Sequence, residues 1–110
     1  YLYLAQSSDL GLIKIGFSSD DPDNRIYIAN LDGYGGAWDW RICMTVWAEH
    51  AGAKEIAVHR SLFEFRNERL WIRNGAAVVS KELFDCDLAL AIETLSAHLT
   101  AREHKAIAYR

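Results

Sequence analysis

The sequence predicts an α+β fold with elements in the order β-β-α-β-α-(β)-α. The first observation behind this prediction is a pair of short apolar runs within residues 1–17, joined by a polar, glycine-ended turn. Such a pair is typical of a β-hairpin, whose strands are antiparallel. The second observation is a set of helix-like runs that begin near Pro22, Glu49 and Asp87. A mainly parallel sheet or an all-helical fold would contradict this prediction.

The composition fits one compact domain. The 110 residues are 51% hydrophobic and 12% aromatic, which suffices for a core and is too apolar for disorder. No apolar run is long enough to span a membrane and no signal peptide is recognisable, so we expect an intracellular, cytoplasmic protein with no membrane partner. Cys43 and Cys86 lack the spacing of a zinc site, and we interpret them as buried free thiols. Because the chain begins at Tyr1 without an initiator Met, we expect further domains of the same protein outside it.

The predicted hairpin ends its second strand in a glycine. Its strands are the runs at residues 1–4 and 13–16. Side chains alternate along a strand, so Tyr1 and Tyr3 share one face. Gly16 has no Cβ, and a phosphate or a neighbouring backbone can therefore come close to it.

A first helix is predicted from Pro22 onward. Acidic residues before Pro22 suit an N-cap, proline suits the first turn, and apolar side chains recur between residues 26 and 31. Arg25 falls in the first turn, where a cation opposes the helix dipole, so we expect it to have a specific partner. That partner is either a bound substrate or a neighbouring carboxylate, Asp21 or Asp23.

Residues 40–48 predict a third strand after the glycine-rich loop at residues 32–39. They are rich in Ile, Val, Thr and Trp, which favour strands. Strict alternation predicts that one side carries four apolar residues, namely Trp40, Ile42, Met44 and Val46. Because the other side is also partly apolar, we expect the strand to be central or covered on both faces.

Residues 49–66 predict a second helix. Its expected apolar stripe consists of Ile56, Leu62 and Phe63. Glu55 and His59 lie four residues apart and therefore share one face of this helix. Such a pair can hold a metal ion, but a zinc site needs a third ligand that the sequence does not indicate. His59 is either a partly buried residue that hydrogen-bonds Glu55 or part of an active site, and the sequence leaves both open.

The last part of the chain predicts a turn and a third helix. Residues 70–72 indicate a short strand or turn, and Asn74-Gly75 is a strong turn signal. After Asp87, apolar residues recur at helical spacing, at Leu88, Ala91, Ile92, Leu95 and Leu99. We place the main domain at residues 1–97 and interpret residues 98–110 as a C-terminal helical extension or tail.

Two triplets in the hairpin resemble the opening of the GIY-YIG nuclease superfamily. Tyr1-Leu2-Tyr3 matches the first triplet, and Lys14-Ile15-Gly16 matches the second, eleven positions further on. Lysine in place of the first Tyr of YIG, followed by Phe17-Ser18, is similar to a phage-associated subgroup in which KIG replaces YIG. The resemblance continues in the same order at Arg25, His59 and Glu82-Leu83-Phe84. It implies a small antiparallel sheet of about three strands flanked by helices, in a GIY-YIG-like nuclease domain.

The same resemblance implies a metal-dependent endonuclease that hydrolyses DNA phosphodiester bonds as the catalytic domain of a larger protein. Glu82 would hold one Mg²⁺ or Mn²⁺, because hard oxygen ligands suit these ions. Arg25 would bind the scissile phosphate in a bidentate fork, with Gly16 and Ser18 as further substrate-binding residues. The other catalytic residues that it implies are Tyr3 as general base or water-positioning group, Lys14 as its helper or as a phosphate ligand, and His59 as an alternative base.

Two features favour a different function on the same fold. Some members of the superfamily carry a histidine four residues after the arginine, where this chain has Ala29. The net charge is −3, whereas duplex binding is largely phosphate neutralisation, so we expect the isolated domain to bind DNA poorly. The alternative function is a catalytically inactive GIY-YIG-like module that binds DNA or a protein partner.

Overall fold

Seven strands and four α-helices make up the computed structural model, which describes residues 1–110. The strands are β1 (Leu2–Ser7), β2 (Leu12–Phe17), β3 (Arg41–Val46), β4 (Arg69–Arg73), β5 (Ala76–Ser80), β6 (Leu83–Phe84) and β7 (Ala108–Tyr109). The helices are α1 (Pro22–Asp32), α2 (Ala51–Ser61), α3 (Leu88–Ala97) and α4 (Ala101–Lys105). Short 3₁₀ turns occupy Tyr34–Gly36 and Phe63–Phe65. The fold is therefore α+β, as the sequence predicts.

Five of the strands form one antiparallel sheet in the order β6-β2-β1-β3-β7. Its centre is the predicted set of three strands, with the β1–β2 hairpin and with β3 on the other side of β1. The two-residue strands β6 and β7 extend it at its edges, so the sheet has more strands than the sequence predicts. Strands β4 and β5 form a separate antiparallel hairpin, joined by the predicted turn at Asn74-Gly75.

Local capping residues explain where the first helix begins and ends. The Asp21 carboxylate accepts a hydrogen bond from the backbone N–H of Asp23 and so caps α1, with Pro22 in the first turn. Gly33 ends α1 in the left-handed conformation that favours glycine. The predicted start and N-cap of this helix are confirmed.

A β-bulge at Cys43 changes which side of the sheet the following side chains of β3 face. Leu4 of β1 pairs with Met44, whereas the next residue, Ala5, pairs with Ile42, so Cys43 has no partner on β1. The prediction that four alternating residues share one side is therefore wrong, because the extra residue reverses the alternation. Met44 and Val46 lie in the core on one side of the sheet. Trp40 and Ile42 lie in the core on the other side. The middle of the sheet is β1 rather than β3, but β3 is covered on both faces, so the expectation that it is central or covered on both faces is confirmed in its second alternative.

The two faces of the sheet carry separate cores. On one face, α2 and α3 cover a cluster of twelve buried apolar residues that includes Leu4 and Ile15. On the other face, α1 packs on a cluster of nine that includes Tyr3 and Ala5. We call these the α2/α3 face and the α1 face.

Helix α2 is shorter than predicted and presents different residues to the core. It begins after His50, whose φ of 55° is left-handed. Val58 and Leu62 are buried, whereas Ile56 and Phe63 are exposed. The predicted apolar stripe is therefore wrong at Ile56 and Phe63. Phe63 misses the stripe because the helix ends before residue 62. Ile56 is two residues from the buried Val58, so it lies on the opposite side of the helix.

The C-terminal residues fold back onto the rest of the chain. The helical run is interrupted at Thr100, which caps α4 and exchanges hydrogen bonds with Glu103 in a capping box. The buried Glu103 carboxylate also binds Lys54 at 2.6 Å and accepts a hydrogen bond from the Glu49 backbone N–H. Strand β7 then pairs with β3, so residues 98–110 contribute one short helix and one edge strand.

Both cysteines carry free thiols, with Cys43 buried and Cys86 half-buried. None of the four helices has the length and apolar character that crossing a lipid bilayer requires.

Candidate active site

Residues on the α1 face form the floor of the candidate site. Tyr3 of β1 lies opposite Gly16 of β2, and Lys14 points to the same face because it is two residues from Gly16. The Lys14 ammonium donates hydrogen bonds to the Tyr3 hydroxyl and to Glu82 Oε2, the latter at 2.8 Å. Tyr3 is fully buried and Lys14 is 4% exposed. A chain of hydrogen bonds therefore runs from the core to the Glu82 carboxylate.

Gly16 is required in this floor because the Tyr3 side chain lies over it. A Cβ at position 16 would stand 2.6 Å from the Tyr3 hydroxyl oxygen and 3.1 Å from Lys14 Nζ. A side chain at position 16 would therefore separate Tyr3 from Lys14. The sequence predicts that a phosphate or a neighbouring backbone comes close to Gly16, whereas in the structure the Tyr3 side chain occupies this space.

Lys14 keeps its positive charge although it is buried. Burial by itself lowers the pKa of a lysine, but the neighbouring Tyr3 and Glu82 outweigh this effect and the pKa of Lys14 is raised. The ammonium also lies 4.7 Å from the centre of the Tyr3 ring and 5.0 Å from that of Tyr34. Lys14 is therefore a fixed cation in the floor of the site.

A cavity of about 330 Å³ opens beside Lys14 and Glu82. One wall is α1 and the other is the β4–β5 hairpin, which contributes Trp71. The charged residues of the lining are Lys14, Arg25, Arg73, Lys81, Asp32 and Glu82. Four cations face two carboxylates, and these pair with Lys14 and Arg73. Arg25 and Lys81 remain without a counter-charge, so the cavity suits an anionic ligand.

Arg25 lines this cavity with its guanidinium free. Its side chain is exposed and makes no ion pair or hydrogen bond within the chain. Asp23 binds Arg110 instead, and Asp21 caps α1. Arg25 therefore does not form the ion pair with Asp21 or Asp23 that was one of its two predicted interactions. The N–H donors of its guanidinium remain available to a ligand.

Glu82 reaches the site through the pairing of β6 with β2. Its backbone carbonyl accepts a hydrogen bond from the Ile15 N–H at 3.0 Å, and the next residue, Leu83, pairs with Lys14. The Glu82 side chain is 29% exposed. Oε2 accepts the bond from Lys14, and Oε1 accepts none from the protein. One oxygen of this carboxylate is therefore open to a ligand.

Two further predicted site residues lie outside the cavity lining. The Ser18 hydroxyl donates a hydrogen bond to Asp20 at 2.7 Å. His59 Nε2 bonds the Ile15 carbonyl at 2.8 Å, so the hydrogen bond expected between His59 and Glu55 is not formed. Burial lowers the pKa of His59, and the neutral ring therefore donates through Nε2–H. The structure groups four of the predicted residues at one cavity and its floor, namely Tyr3, Lys14, Arg25 and Glu82.

A family model for the T5orf172 domain matches residues 1–98. The chain belongs to the T5orf172 domain family. The T5orf172 domain is phage-associated and is found in nuclease-like proteins. No curated protein and no solved structure matches the chain. The matched residues run from β1 to α3 and include every residue that lines the cavity.

Glu82 of this T5orf172 domain could hold a divalent metal ion through its free oxygen. No group of three His, Cys, Asp or Glu side chains is arranged to hold one, so a closed zinc site does not fit. Mg²⁺ and Mn²⁺ prefer oxygen ligands, and Mg²⁺ usually keeps several waters and takes one or two carboxylates. The free Oε1 of Glu82 beside a polar cavity fits that requirement.

Glu55 of α2 is influenced by the charges of the site residues Glu82, Lys14 and Arg25. Burial, followed by the charge of Glu82, raises the pKa of Glu55 to about 7, and Lys14 and Arg25 offset only part of this. Glu55 Oε2 is buried and has no hydrogen-bond partner in the protein. The sequence spacing pairs Glu55 with His59, but only the fold brings it under the influence of Glu82.

Tyr34 is a cavity residue that the sequence analysis missed. It lies in the 3₁₀ turn after α1, and its ring centre is 5.3 Å from that of Trp71. Burial, followed by the charge of Glu82, raises the pKa of Tyr34 to about 12, so the hydroxyl stays protonated. The sequence pattern around Tyr34 is an aromatic residue between Gly33 and Gly35, which is more typical of a loop than of a functional site.

Proposed function

We propose that this T5orf172 domain is a metal-dependent endonuclease that hydrolyses DNA phosphodiester bonds at a site of the GIY-YIG type. The observation that carries the proposal is the convergence of Tyr3, Lys14 and Glu82 in one hydrogen-bonded chain. Arg25 lines the cavity beside them. These residues come from β1, β2, α1 and the segment before β6, and the fold alone brings them together. Their identity and order also match the resemblance noted in the sequence.

Arg25 and Lys14 supply positive charge for a phosphate in the cavity. Arg25 is exposed and unpaired, so it can bind two phosphate oxygens through its planar fork without breaking an existing bond. Lys14 is charged and held in place by Tyr3 and Glu82. Fixed cations of this kind stabilise the charge that develops on a phosphate in the transition state.

Glu82 would hold the metal ion through its free oxygen. A Mg²⁺ or Mn²⁺ bound there would supply Lewis-acid charge and an activated water. The Lys14 ammonium at 2.8 Å fixes the orientation of the same carboxylate through Oε2. Glu82 is therefore oriented before any ligand arrives.

Tyr3 and His59 have different roles in this proposal. The Tyr3 side chain is fully buried and its hydroxyl contacts Lys14, so we assign it the positioning of Lys14. His59 is neutral and donates through Nε2, which leaves Nδ1 as its one acceptor nitrogen. Because His59 lies on α2 outside the cavity lining, it stays only the alternative base, and Gly16 and Ser18 stay predicted substrate-binding residues.

The alternative, a catalytically inactive module that binds DNA or a protein partner, has one observation in its favour. Glu82 is already paired with Lys14, and this pair has to share the carboxylate with a metal ion before catalysis. An inactive module would keep the ion pair as a structural element.

Cleavage by a Glu82→Gln variant separates the two functions. We expect the wild-type chain to nick or cut plasmid DNA in Mg²⁺ or Mn²⁺, and we expect Glu82→Gln to lose this activity while keeping the fold. Glu93→Gln is the matched control, because Glu93 is an exposed glutamate of α3 without an ion pair. Full cleavage by Glu82→Gln, or equal loss in Glu93→Gln, would contradict the proposal. Circular dichroism checks that both variants are folded.

A further inference from the structure

We propose that the β4–β5 hairpin docks into the major groove of duplex DNA and so presents the adjoining strand to the cavity. The proposal rests on the proposed nuclease function and names duplex DNA as its substrate. The hairpin is a two-stranded ribbon separate from the main sheet, and it forms one wall of the cavity. Whatever binds the hairpin therefore lies beside Arg25 and Glu82.

The hairpin concentrates positive charge in an acidic chain. From Arg69 to Lys81 there are three cations and no Asp or Glu, although the whole chain has a net charge of −3. Arg69 donates a hydrogen bond to the Gly35 carbonyl and Arg73 pairs with Asp32 at 3.5 Å, so Lys81 is the cation of this segment without a partner in the chain. Arg73 and Lys81 line the cavity together with Arg25. This local charge is complementary to DNA phosphates, whose neutralisation supplies most of non-specific affinity.

The outer face of the hairpin is apolar and exposed. Leu70 pairs with Val79, and Ile72 pairs with Ala77, so the four side chains share one face. Leu70 is 71% exposed and Ile72 is 64% exposed. Val79 also lines the cavity, which makes the apolar face continuous with it. A contiguous exposed apolar surface of this kind indicates a binding surface.

The inner face of the hairpin fixes its position relative to the site. Trp71 is buried against Tyr34, with 5.3 Å between ring centres. Arg69 Nε donates a hydrogen bond to the Gly35 carbonyl at 2.8 Å. The ribbon is therefore held against the 3₁₀ turn that follows α1, and Leu70 and Ile72 of its outer face stay exposed.

These features fit duplex DNA better than other nucleic acids. A two-stranded ribbon fits the major groove, which is about 12 Å wide, and apolar side chains there contact thymine methyl groups. Single strands are bound by exposed aromatic side chains that stack on bases, whereas the aromatic residue of this hairpin, Trp71, is buried. The major groove of duplex RNA is too narrow and deep for a ribbon.

Binding of labelled duplex DNA tests the proposal. All proteins carry Glu82→Gln, so that cleavage does not interfere with fluorescence anisotropy at low salt. We expect Lys81→Ala, at the end of the hairpin, to weaken binding and to lower the salt slope by about one, because Lys81 has no partner within the chain. We expect the double variant Leu70→Ser/Ile72→Ser to weaken binding several-fold. The matched controls are Arg102→Ala, an exposed arginine of α4, and Phe63→Ser, an exposed apolar residue, neither of which lines the cavity.

Replacing thymine by uracil in the duplex tests the groove contact itself, because it removes the methyl groups and keeps the charge. We expect the Leu70 and Ile72 side chains to make the thymine duplex the tighter ligand. In the Leu70→Ser/Ile72→Ser protein this preference should disappear. If the protein with Leu70 and Ile72 intact binds the thymine duplex and the uracil duplex with equal affinity, the proposal that the apolar face docks into the groove is overturned.

Several other outcomes would also overturn the proposal. They are no measurable duplex binding, tighter binding of single strands than of duplex, and normal binding by both hairpin variants. Thermal unfolding confirms that each variant is folded. Because binding is measured without cleavage, these outcomes leave the proposed nuclease function standing. Failure of the nuclease function instead shows as absent cleavage by the wild-type chain, with the hairpin effects on binding intact.

Discussion

The two faces of the central sheet are built from alternate residues of the same strands, yet they differ in kind. The α2/α3 face buries twelve residues that are all apolar. The α1 face buries nine such residues and also holds Lys14, bound to Tyr3 and Glu82. A buried ammonium is costly unless it is paired, so its position marks the face that carries chemistry. The comparison teaches that one face mainly stabilises the fold and the other mainly positions charge.

The largest effect on stability should come from the α2/α3 face. Leu4 is fully buried there, so Leu4→Ala should lower the free energy of unfolding by about 2–5 kcal/mol through lost burial and a cavity. Urea denaturation measures this loss. Leu31→Ala is the matched control, because Leu31 is 64% exposed on α1 and should cost little. A Leu4→Ala protein as stable as Leu31→Ala would break the distinction between the two faces.

A smaller loss of stability, combined with loss of activity, should follow a change on the α1 face. Gly16→Ala places a Cβ 2.6 Å from the Tyr3 hydroxyl oxygen, so Tyr3 has to move away from Lys14. We expect a cost of about 1–3 kcal/mol in the free energy of unfolding, and loss of DNA cleavage.

Gly52→Ala is the control for this change. A Cβ at Gly52 would lie 3.5 Å from the Phe17 ring, which is ordinary contact, and alanine favours helices. Its stability and cleavage should stay close to wild type. Equal activity of the Gly16→Ala and Gly52→Ala proteins would show that the contact between Tyr3 and Lys14 is dispensable.

The parts of the fold that the sequence predicted are those that local chemistry determines. The first helix follows from Asp21, Pro22 and Gly33, which act on their immediate neighbours. The reversal at Cys43 was not predictable, because a bulge depends on the register with another strand. The same holds for β6 and β7, since two residues carry too little pattern to identify a strand.

Only part of the candidate site could be predicted from the sequence, for a similar reason. Tyr3, Lys14, Arg25 and Glu82 were identifiable because their types and order resemble a known family. Tyr34 and the hairpin wall have no such pattern and enter the cavity only through tertiary packing. The influence of Glu82 on Glu55 is likewise a property of the fold rather than of spacing.

The smallest effect should be a pH-dependent one at Glu55 of α2. The pKa of Glu55 is raised from 4.5 to about 7, first by burial, so the native state binds this proton more tightly than the unfolded state. Its contribution to stability is therefore lost as pH rises from about 4.5 to about 7. Glu55→Gln, which resembles the protonated form, should melt at a higher temperature than wild type at about pH 8 and at a similar temperature at about pH 4.

The difference in melting temperature between the two proteins is the quantity to follow. The lowered pKa of His59 removes stability as pH falls below 6.5, but it does so in both proteins and cancels in the difference. A difference that does not change with pH would show that Glu55 is not held in its protonated form.

The most direct test of the central claim is the rate of DNA cleavage by Arg25→Ala, measured together with its DNA affinity at two salt concentrations. If the α1 face is a nuclease site, Arg25 stabilises charge that grows at the phosphate. Its removal should then slow cleavage by about a hundredfold or more while weakening DNA binding much less. Arg60→Ala, an exposed arginine of α2, is the control and should do neither. Cleavage by Arg25→Ala at the wild-type rate would contradict the account.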